Sequence, residues 1–224
     1  MGSAARILLA TVSLGTLASS AVFGANLAFT QDLPLDPGIQ LEVELRAGNI
    51  VVDRGSEAGV LRASVTWTCA DSDSSRCTEA AGKLGLNTSA TGQRLTVGVA
   101  GMPTLNLVRL TPTLHVVVPA GHRVEVDLGA GNVRVGDLTD GLEIDLGAGN
   151  VEGSFPLAAV GRVELDSRAG RATLKLPDSS IVGSGLVGSS VTWSREEGGG
   201  QIEIDLGAGD IVVTLVAADA PPAL

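Results

Sequence analysis

The chain has 224 residues, which is enough for one medium domain or two very small ones. Its formal net charge is −10, and this acidic balance argues against nucleic acid, whose phosphates need clustered Lys and Arg, and against an anionic membrane surface. Hydrophobic residues make up 44% of the chain but aromatic residues only 2%, so a core must be built from Val, Leu, Ile and Ala. Thirty Gly and nine Pro indicate many turns and short strands.

Residues 1–28 predict an export signal. Arg6 precedes the uncharged stretch Ile7–Ala28, whose end is rich in small residues. We expect a signal peptide that is cleaved between about residues 21 and 28, and therefore an exported protein of the periplasm or the cell surface. An uncleaved N-terminal anchor is the alternative, because this stretch is long enough to span a bilayer. No Cys stands directly after it, which argues against a lipid-anchored lipoprotein.

The two cysteines of the chain, Cys69 and Cys77, bracket a polar run. In an oxidising compartment this arrangement predicts a disulfide that closes a protruding loop. A zinc site is the weaker interpretation, because two Cys without nearby His cannot complete a zinc shell.

A heptapeptide repeat dominates the rest of the chain. DLGAGNV at Asp127–Val133 recurs at Asp145–Val151 and, as DLGAGDI, at Asp205–Ile211. Weaker copies are Glu44–Ile50 and Asp166–Ala172. The positions of the copies fit a period of about twenty residues, with degenerate copies in the gaps, and such a period is the signature of a repeat architecture.

Each copy joins two short alternating segments through Gly-Ala-Gly, as in Val124–Leu128 before it and Asn132–Val135 after it. Alternation places aliphatic residues on one face of a strand and acids on the other. The glycines predicted to form structural turns are Gly129, Gly131, Gly147, Gly149, Gly207 and Gly209.

One unit cannot bury its own apolar face, but stacked units can. The sequence therefore predicts an all-β fold, a single-stranded right-handed β-solenoid of the β-helix type with repeats of roughly 20 residues. A β-sandwich is the alternative. We expect the solenoid domain to span residues 36–216, with a cap or decorated rungs within 56–112, and residues 217–224 to form a disordered tail.

The segments Leu114–Val135 and Leu138–Val151 resemble the bacterial putative-adhesin family. The resemblance runs from about residue 39 to 216 and is strongest over 114–176. It implies an envelope β-solenoid with repeated Gly-x-Gly-[Asn/Asp] turns. The motif is a repeat pattern and contains no reactive constellation.

Motifs for catalysis or nucleotide binding are missing from the sequence. Gly129-Ala-Gly131 follows a strand, but the third glycine and the helix of a dinucleotide-binding motif are absent. His115 and His122 have no evident partners, and no serine stands in a Gly-x-Ser-x-Gly elbow. We therefore expect no enzyme, no catalytic residue, no nucleotide and no organic cofactor.

In-register stacking would align acids in two columns, which makes cation binding a candidate. Like charges about 4.8 Å apart repel, so such a face gains from a cation, and calcium accepts carboxylate oxygens in flexible geometry. A solvated acidic face relieved by Arg123, Arg134, Arg162 and salt is the simpler interpretation. The candidate cation-binding residues are Glu125, Asp127, Glu143, Asp145, Glu164, Asp166, Glu203 and Asp205.

These features favour a non-enzymatic, exported cell-envelope protein, an adhesin-like binding or structural module whose partner is an envelope protein or a surface polysaccharide. One alternative is an envelope-stress signalling accessory that docks on a membrane partner. Another is a calcium-dependent carbohydrate-binding or carbohydrate-active protein, because solenoids host polysaccharide-cleaving enzymes.

Overall fold

The computed structural model describes residues 29–70, 75–102, 110–185 and 187–217. The expected signal peptide or anchor, residues 1–28, lies outside the described residues, as does the expected tail after residue 217. The elements are β1 Phe29–Pro34, β2 Gln40–Arg54, β3 Val60–Cys69, α1 Ser75–Ala81, β4 Gly85–Thr91, β5 Arg94–Ala100, β6 Leu110–Val118, β7 Val124–Gly136, β8 Leu142–Pro156, a 3-10 turn Leu157–Ala159, β9 Val160–Ser167, β10 Ala172–Leu176, β11 Ser179–Val182, β12 Ser189–Ser194, β13 Gly200–Ala208 and β14 Ile211–Val216.

The all-β prediction is confirmed, and the strands form where the sequence alternates. In β7 the even-numbered Val124, Val126 and Leu128 are buried before the Gly-Ala-Gly, whereas the odd-numbered Val133 and Val135 are buried after it. The glycine segment therefore shifts the strand's alternation by one residue, and both halves bury their aliphatic residues in the same core cluster. Strand pairing continues through the glycines of β7 and β8, where the sequence predicts a turn between two short strands.

Parallel, in-register pairing of the repeat copies organises the molecule. Gly131 of β7 pairs with Gly48 of β2 on one side and with Gly149 of β8 on the other. The strand segment before the Gly-Ala-Gly is the first half of each copy, and the segment after it is the second half. Pairing of the first halves continues along β13 and β9, and pairing of the second halves along β14 and β10. Even the weak copies at residues 44 and 166 belong to this stack.

The order of the strands in space differs from their order in the chain. β13 lies between β8 and β9, so the last repeat copy in the chain lies in the sheet between two copies that come earlier in the sequence. Likewise β2 pairs directly with β7, although β3–β6 intervene in the chain. The expected degenerate copy between residues 166 and 205 is replaced by the antiparallel strands β11 and β12. The sheet is open and mixed, and the right-handed solenoid stays a prediction.

The strands between β2 and β7 in the chain, together with β1, flank one end of the stack. β6 and β5 add parallel strands beside the two halves of β2, and β3, β1 and β4 follow as antiparallel strands. The predicted disulfide between Cys69 and Cys77 is confirmed. It joins β3 to α1, and the buried Cys77 packs in a small satellite cluster with Trp67, Leu84 and Leu110.

The main core is aliphatic, as the composition predicts. It contains 35 buried residues, of which Phe155 is the only aromatic one in the part of the chain that the structure describes. None of the described helices has the length and apolar character needed to cross a membrane.

Candidate functional site: an acidic face

The outward-facing residues of the first halves form two rows of carboxylates. In-register pairing places β2, β7, β8, β13 and β9 side by side in that order, so equivalent side chains lie in columns across the strands. The glutamate row consists of Glu42, Glu125, Glu143, Glu203 and Glu164. The adjacent aspartate row consists of Glu44, Asp127, Asp145, Asp205 and Asp166.

The glutamate row is largely neutralised by cationic and polar neighbours. Arg123 donates to Glu143 over 2.8 Å, and Arg94 lies 3.5 Å from Glu42. Arg162 pairs with Glu164. Arg94 also lies 3.6 Å from Glu125, so four of the five glutamates have an arginine within 4.0 Å. Two neutral donors stabilise the charged carboxylates further: Thr96 donates to Glu42 and Gln40 donates to Glu125, both over 2.8 Å.

The aspartate row lacks such compensation. Among the described residues, no Lys or Arg lies within 4.0 Å of the carboxylates of this row. Partial burial, followed by the charges of Asp205, Glu143 and Asp127, raises the pKa of Asp145 above its ordinary value. Partial burial and the charges of Glu42 and Asp127 likewise raise the pKa of Glu44. The more distant charges of Arg168 and Arg94 oppose these shifts at Asp145 and Glu44 but do not reverse them, so the row carries charge that the fold offsets only in part.

A shallow groove runs beside the aspartate row. It has a volume of about 310 Å³ and is lined by Asp127, Asp145, Asp205 and Arg168 together with three stacked glycines. The glycines Gly129, Gly147 and Gly207 give this strip a floor of bare backbone. A larger groove of about 600 Å³ continues the strip past Arg46 toward β4 and β5.

Both glycines of each Gly-Ala-Gly are required by the stack. A Cβ on Gly147 would lie 2.4 Å from the carbonyl oxygen of Gly129. A Cβ on Gly131 would lie only 1.6 Å from the carbonyl oxygen of Gly48, and Gly131 also has a φ of +142°. The repeated glycines therefore permit close backbone approach between adjacent strands, and they define the groove floor as a by-product.

A ladder of asparagines borders the second halves, and sequence reasoning missed it. Asn132 donates from Nδ2 to Asn49 Oδ1 over 3.1 Å, and Asn150 donates to Asn132 Oδ1 over 3.2 Å. Asn49 in turn donates to Thr113, and the backbone N–H of Asp210 donates to Asn150. The available signal is the Asn or Asp that follows each Gly-Ala-Gly, a residue type that is also typical of turns.

The histidines occupy separate structural positions. His122 is buried and its Nδ1 lies 3.1 Å from the carbonyl oxygen of Ile39. His115, on β6, lies 2.8 Å from Asp53 of β2. Within the described ranges, no three His, Cys, Asp or Glu side chains are grouped so that they could hold a metal ion.

The structure brings all eight predicted acidic residues into the two rows, and it adds two that were missed. Glu42 and Glu44 complete the rows on β2. The weak repeat copy at Glu44–Ile50 contained the signal, since the Glu44 position is equivalent to Asp127 of the strong copy. Cation binding by these rows stays a prediction.

No model of a known protein family matches the sequence, and no curated protein matches it. Among solved structures, the chain is similar to a "putative cell adhesion protein" of Clostridium sporogenes, with 12% identity over 84% of this chain and 100% of the other and a TM-score of 0.44. It is also similar to a "putative adhesin" of Parabacteroides merdae, with 8% identity over 85% of this chain and 79% of the other and a TM-score of 0.27. A "putative lipid binding protein" of Parabacteroides distasonis shares 9% identity over 84% and 96% of the two chains, with a TM-score of 0.23. Each of these similarities is low in sequence and in structure.

Proposed function

We propose that this chain is an exported, non-enzymatic binding module of the bacterial cell envelope, a β-solenoid-like stack that presents the aspartate row to a cationic or polar surface partner. The observation that carries the proposal is the contrast between the two rows. The glutamate row forms ion pairs with arginines, whereas the aspartate row has no ion-pair partner within 4.0 Å among the described residues and lies beside an open groove.

Uncompensated charge on a rigid face is the kind of feature that binding surfaces use. Like charges on neighbouring strands destabilise a sheet. A partner that supplies positive charge relieves this repulsion, and the relief contributes to the free energy of binding. Because the strands are held in register over five rungs, the carboxylates are also held at fixed spacing. A preorganised array of this kind loses little entropy when a partner binds.

Export is supported by the sequence of residues 1–28 and by the Cys69–Cys77 disulfide, since disulfides persist mainly in oxidising compartments. Sequencing the N-terminus of the protein recovered from the exported fraction tests this part. A new N-terminus between about residues 21 and 28 supports cleavage. An intact Met1 on membrane-bound protein supports the anchor, and with it a signalling accessory docked on a membrane partner.

Binding is tested by sedimentation with isolated bacterial envelopes. We expect the unmodified protein to cosediment in a salt-sensitive manner and the variant Asp127→Asn/Asp145→Asn/Asp205→Asn to lose most of that binding. The matched control Glu57→Gln/Glu79→Gln/Glu197→Gln removes the same charge from exposed acids that lie off the face. Equal binding by the two triple variants would contradict the proposed role of the aspartate row.

A further inference from the structure

Two short strands leave one end of the stack open. β11 is the last strand of the second halves and pairs only with β10, and β12 is the last strand of the first halves and pairs with β9. A single bridge between Ser184 and Ser190 covers the beginning of β12. The remaining outer edges of both strands have no strand beside them in the part of the chain that the structure describes.

Hydrogen bonds on the inner side fix which backbone groups face outward. In antiparallel pairing, the N–H and C=O of one residue point to the same side, and the side alternates along the strand. Gly183 donates its N–H to Ala172, so Ser180 and Val182 direct theirs away from β10. Arg195 donates its N–H to Gly161, which places the N–H and C=O groups of Thr192 and Ser194 on the outer edge of β12.

The edge strands of this end lack charged residues, prolines and glycines. β11 reads SSIV and β12 reads SSVTWS, without a charged residue, a proline or a glycine. Charges, prolines and bulges are among the devices by which soluble proteins prevent edge strands from pairing with another chain. β1, at the opposite end of the stack, has such protection: Asp32 is paired with Arg62, and the strand ends at Pro34.

Exposed apolar side chains are concentrated at the same end. Val182 on β11 is 55% exposed and Val187, between β11 and β12, is 80% exposed. These are the two most exposed large hydrophobic residues in the described part of the chain. Single exposed valines are ordinary, but two of them beside unpaired backbone groups mark a surface that is removed from water at a smaller free-energy cost than a charged surface.

We propose that two copies of this chain associate end to end through β11 and β12 about a two-fold axis, with antiparallel strand pairs formed between the copies. The net charge of −10 and the acidic face make two copies repel each other along the sides of the stack. The uncharged strands of this end allow close approach. A short antiparallel edge is also its own complement under a two-fold rotation, which is the commonest symmetry of protein dimers.

Sedimentation equilibrium of the purified mature protein tests the proposal. We expect a concentration-dependent dimer between about 1 and 500 μM. In the variant Val182→Lys/Thr192→Lys the dissociation constant of the dimer should rise at least roughly tenfold, because lysines on both edges oppose pairing. The control Thr30→Lys/Thr91→Lys adds the same two charges to exposed positions of β1 and β4 at the other end, and it should dimerise like the unmodified protein. A monomer at every concentration, or a dimer that responds equally to both variants, would overturn the proposal.

Hydrogen exchange on the unmodified protein gives a second readout that needs no variant. The amides of Ser180, Val182, Thr192 and Ser194 should exchange more slowly as the protein concentration rises, whereas those of β1 should not change. Circular dichroism of the lysine variant shows whether it is folded. If it is not, the exchange result decides, and concentration-independent exchange at these four amides overturns the inference.

Discussion

Asn132 Nδ2 lies 3.1 Å from Asn49 Oδ1, although 83 residues separate the two in the chain. The contact exists because the weak copy in β2 and the strong copy in β7 pair in register through the Ala-Gly-Asn segment that they share. Each asparagine amide can donate to one neighbour and accept from the next, so identical residues at identical positions connect successive strands. The ladder therefore ties the register of the stack to a residue that is Asn or Asp in four of the five repeat copies.

Replacing Asn132 by Ala should destabilise the protein by about 1–2 kcal/mol, because this side chain donates one hydrogen bond and accepts another within the ladder. Urea denaturation followed by circular dichroism measures the effect. Asn87→Ala, at an exposed position of β4, is the control and should change stability by less than about 0.5 kcal/mol. Equal effects of the two substitutions would show that the ladder contributes no stability.

A stronger effect is expected at the glycines. Gly131→Ala places a Cβ 1.6 Å from the carbonyl oxygen of Gly48 at a φ of +142°, so adjacent strands must separate. We expect a loss of at least about 3 kcal/mol or failure to fold. Gly92→Ala tests the positive φ alone, because its φ is +61° but no atom lies within 4 Å of the new Cβ. This control should cost only about 1 kcal/mol.

A loss at Gly131 no larger than the loss at Gly92 would mean that close approach of the strands is unimportant there. The comparison uses one method, thermal or urea unfolding, on two Gly→Ala substitutions of the same kind. It thus separates the backbone's conformational preference from the contact between strands.

The Cys69–Cys77 disulfide should stabilise one end of the molecule and leave the repeats intact. Cys77 packs against Trp67 in the satellite cluster, which is separate from the main core. The variant Cys69→Ser/Cys77→Ser should therefore lose about 2 kcal/mol. Hydrogen exchange should show faster exchange in β3 and α1 and unchanged protection in β7 and β8. Faster exchange throughout the stack would contradict this local role.

The repeat predicts much of the fold, because alternation and Gly-Ala-Gly together determine which residues are buried and which positions align. Val126 and Ile144 are buried, and Asp127 aligns with Asp145, as the sequence implies. The position of β13 between β8 and β9 was not predictable in the same way. Identical repeat units present identical edges, so local pattern alone does not encode which copy lies next to which.

The candidate site was predicted in part for a related reason. The carboxylate rows follow from alternation, and Arg123 and Arg162 were expected to relieve them, but Arg94 was not. Arg94 reaches Glu42 from β5, which belongs to the irregular segment between β2 and β7. Which row the arginines pair with depends on contacts between strands, one of them 52 residues apart in the chain, and the contrast between the rows became visible only in the structure.

Removing charge from the aspartate row should stabilise the protein. At pH 7 the variant Asp127→Asn/Asp145→Asn/Asp205→Asn should gain about 1 kcal/mol in its free energy of unfolding, because like charges on adjacent strands oppose the fold and solvent screens part of that repulsion. Urea denaturation measures the gain. The control Glu57→Gln/Glu79→Gln/Glu197→Gln removes three acids from ion pairs or exposed positions and should give no gain.

The gain should also depend on pH, and the raised pKa of Asp145 gives its sign. A carboxyl group whose pKa is higher in the folded state than in the unfolded state binds its proton more readily when folded. As the pH falls from 7 toward and below that raised pKa, Asp145 of the unmodified protein is protonated and its unfavourable charge disappears. The stability difference between the triple variant and the unmodified protein should therefore shrink on acidification, and it should shrink with added NaCl at pH 7 as well. A difference that grows as the pH falls would show that the carboxylates of this row stabilise the fold, with their charge offset by groups other than the arginines of the glutamate row.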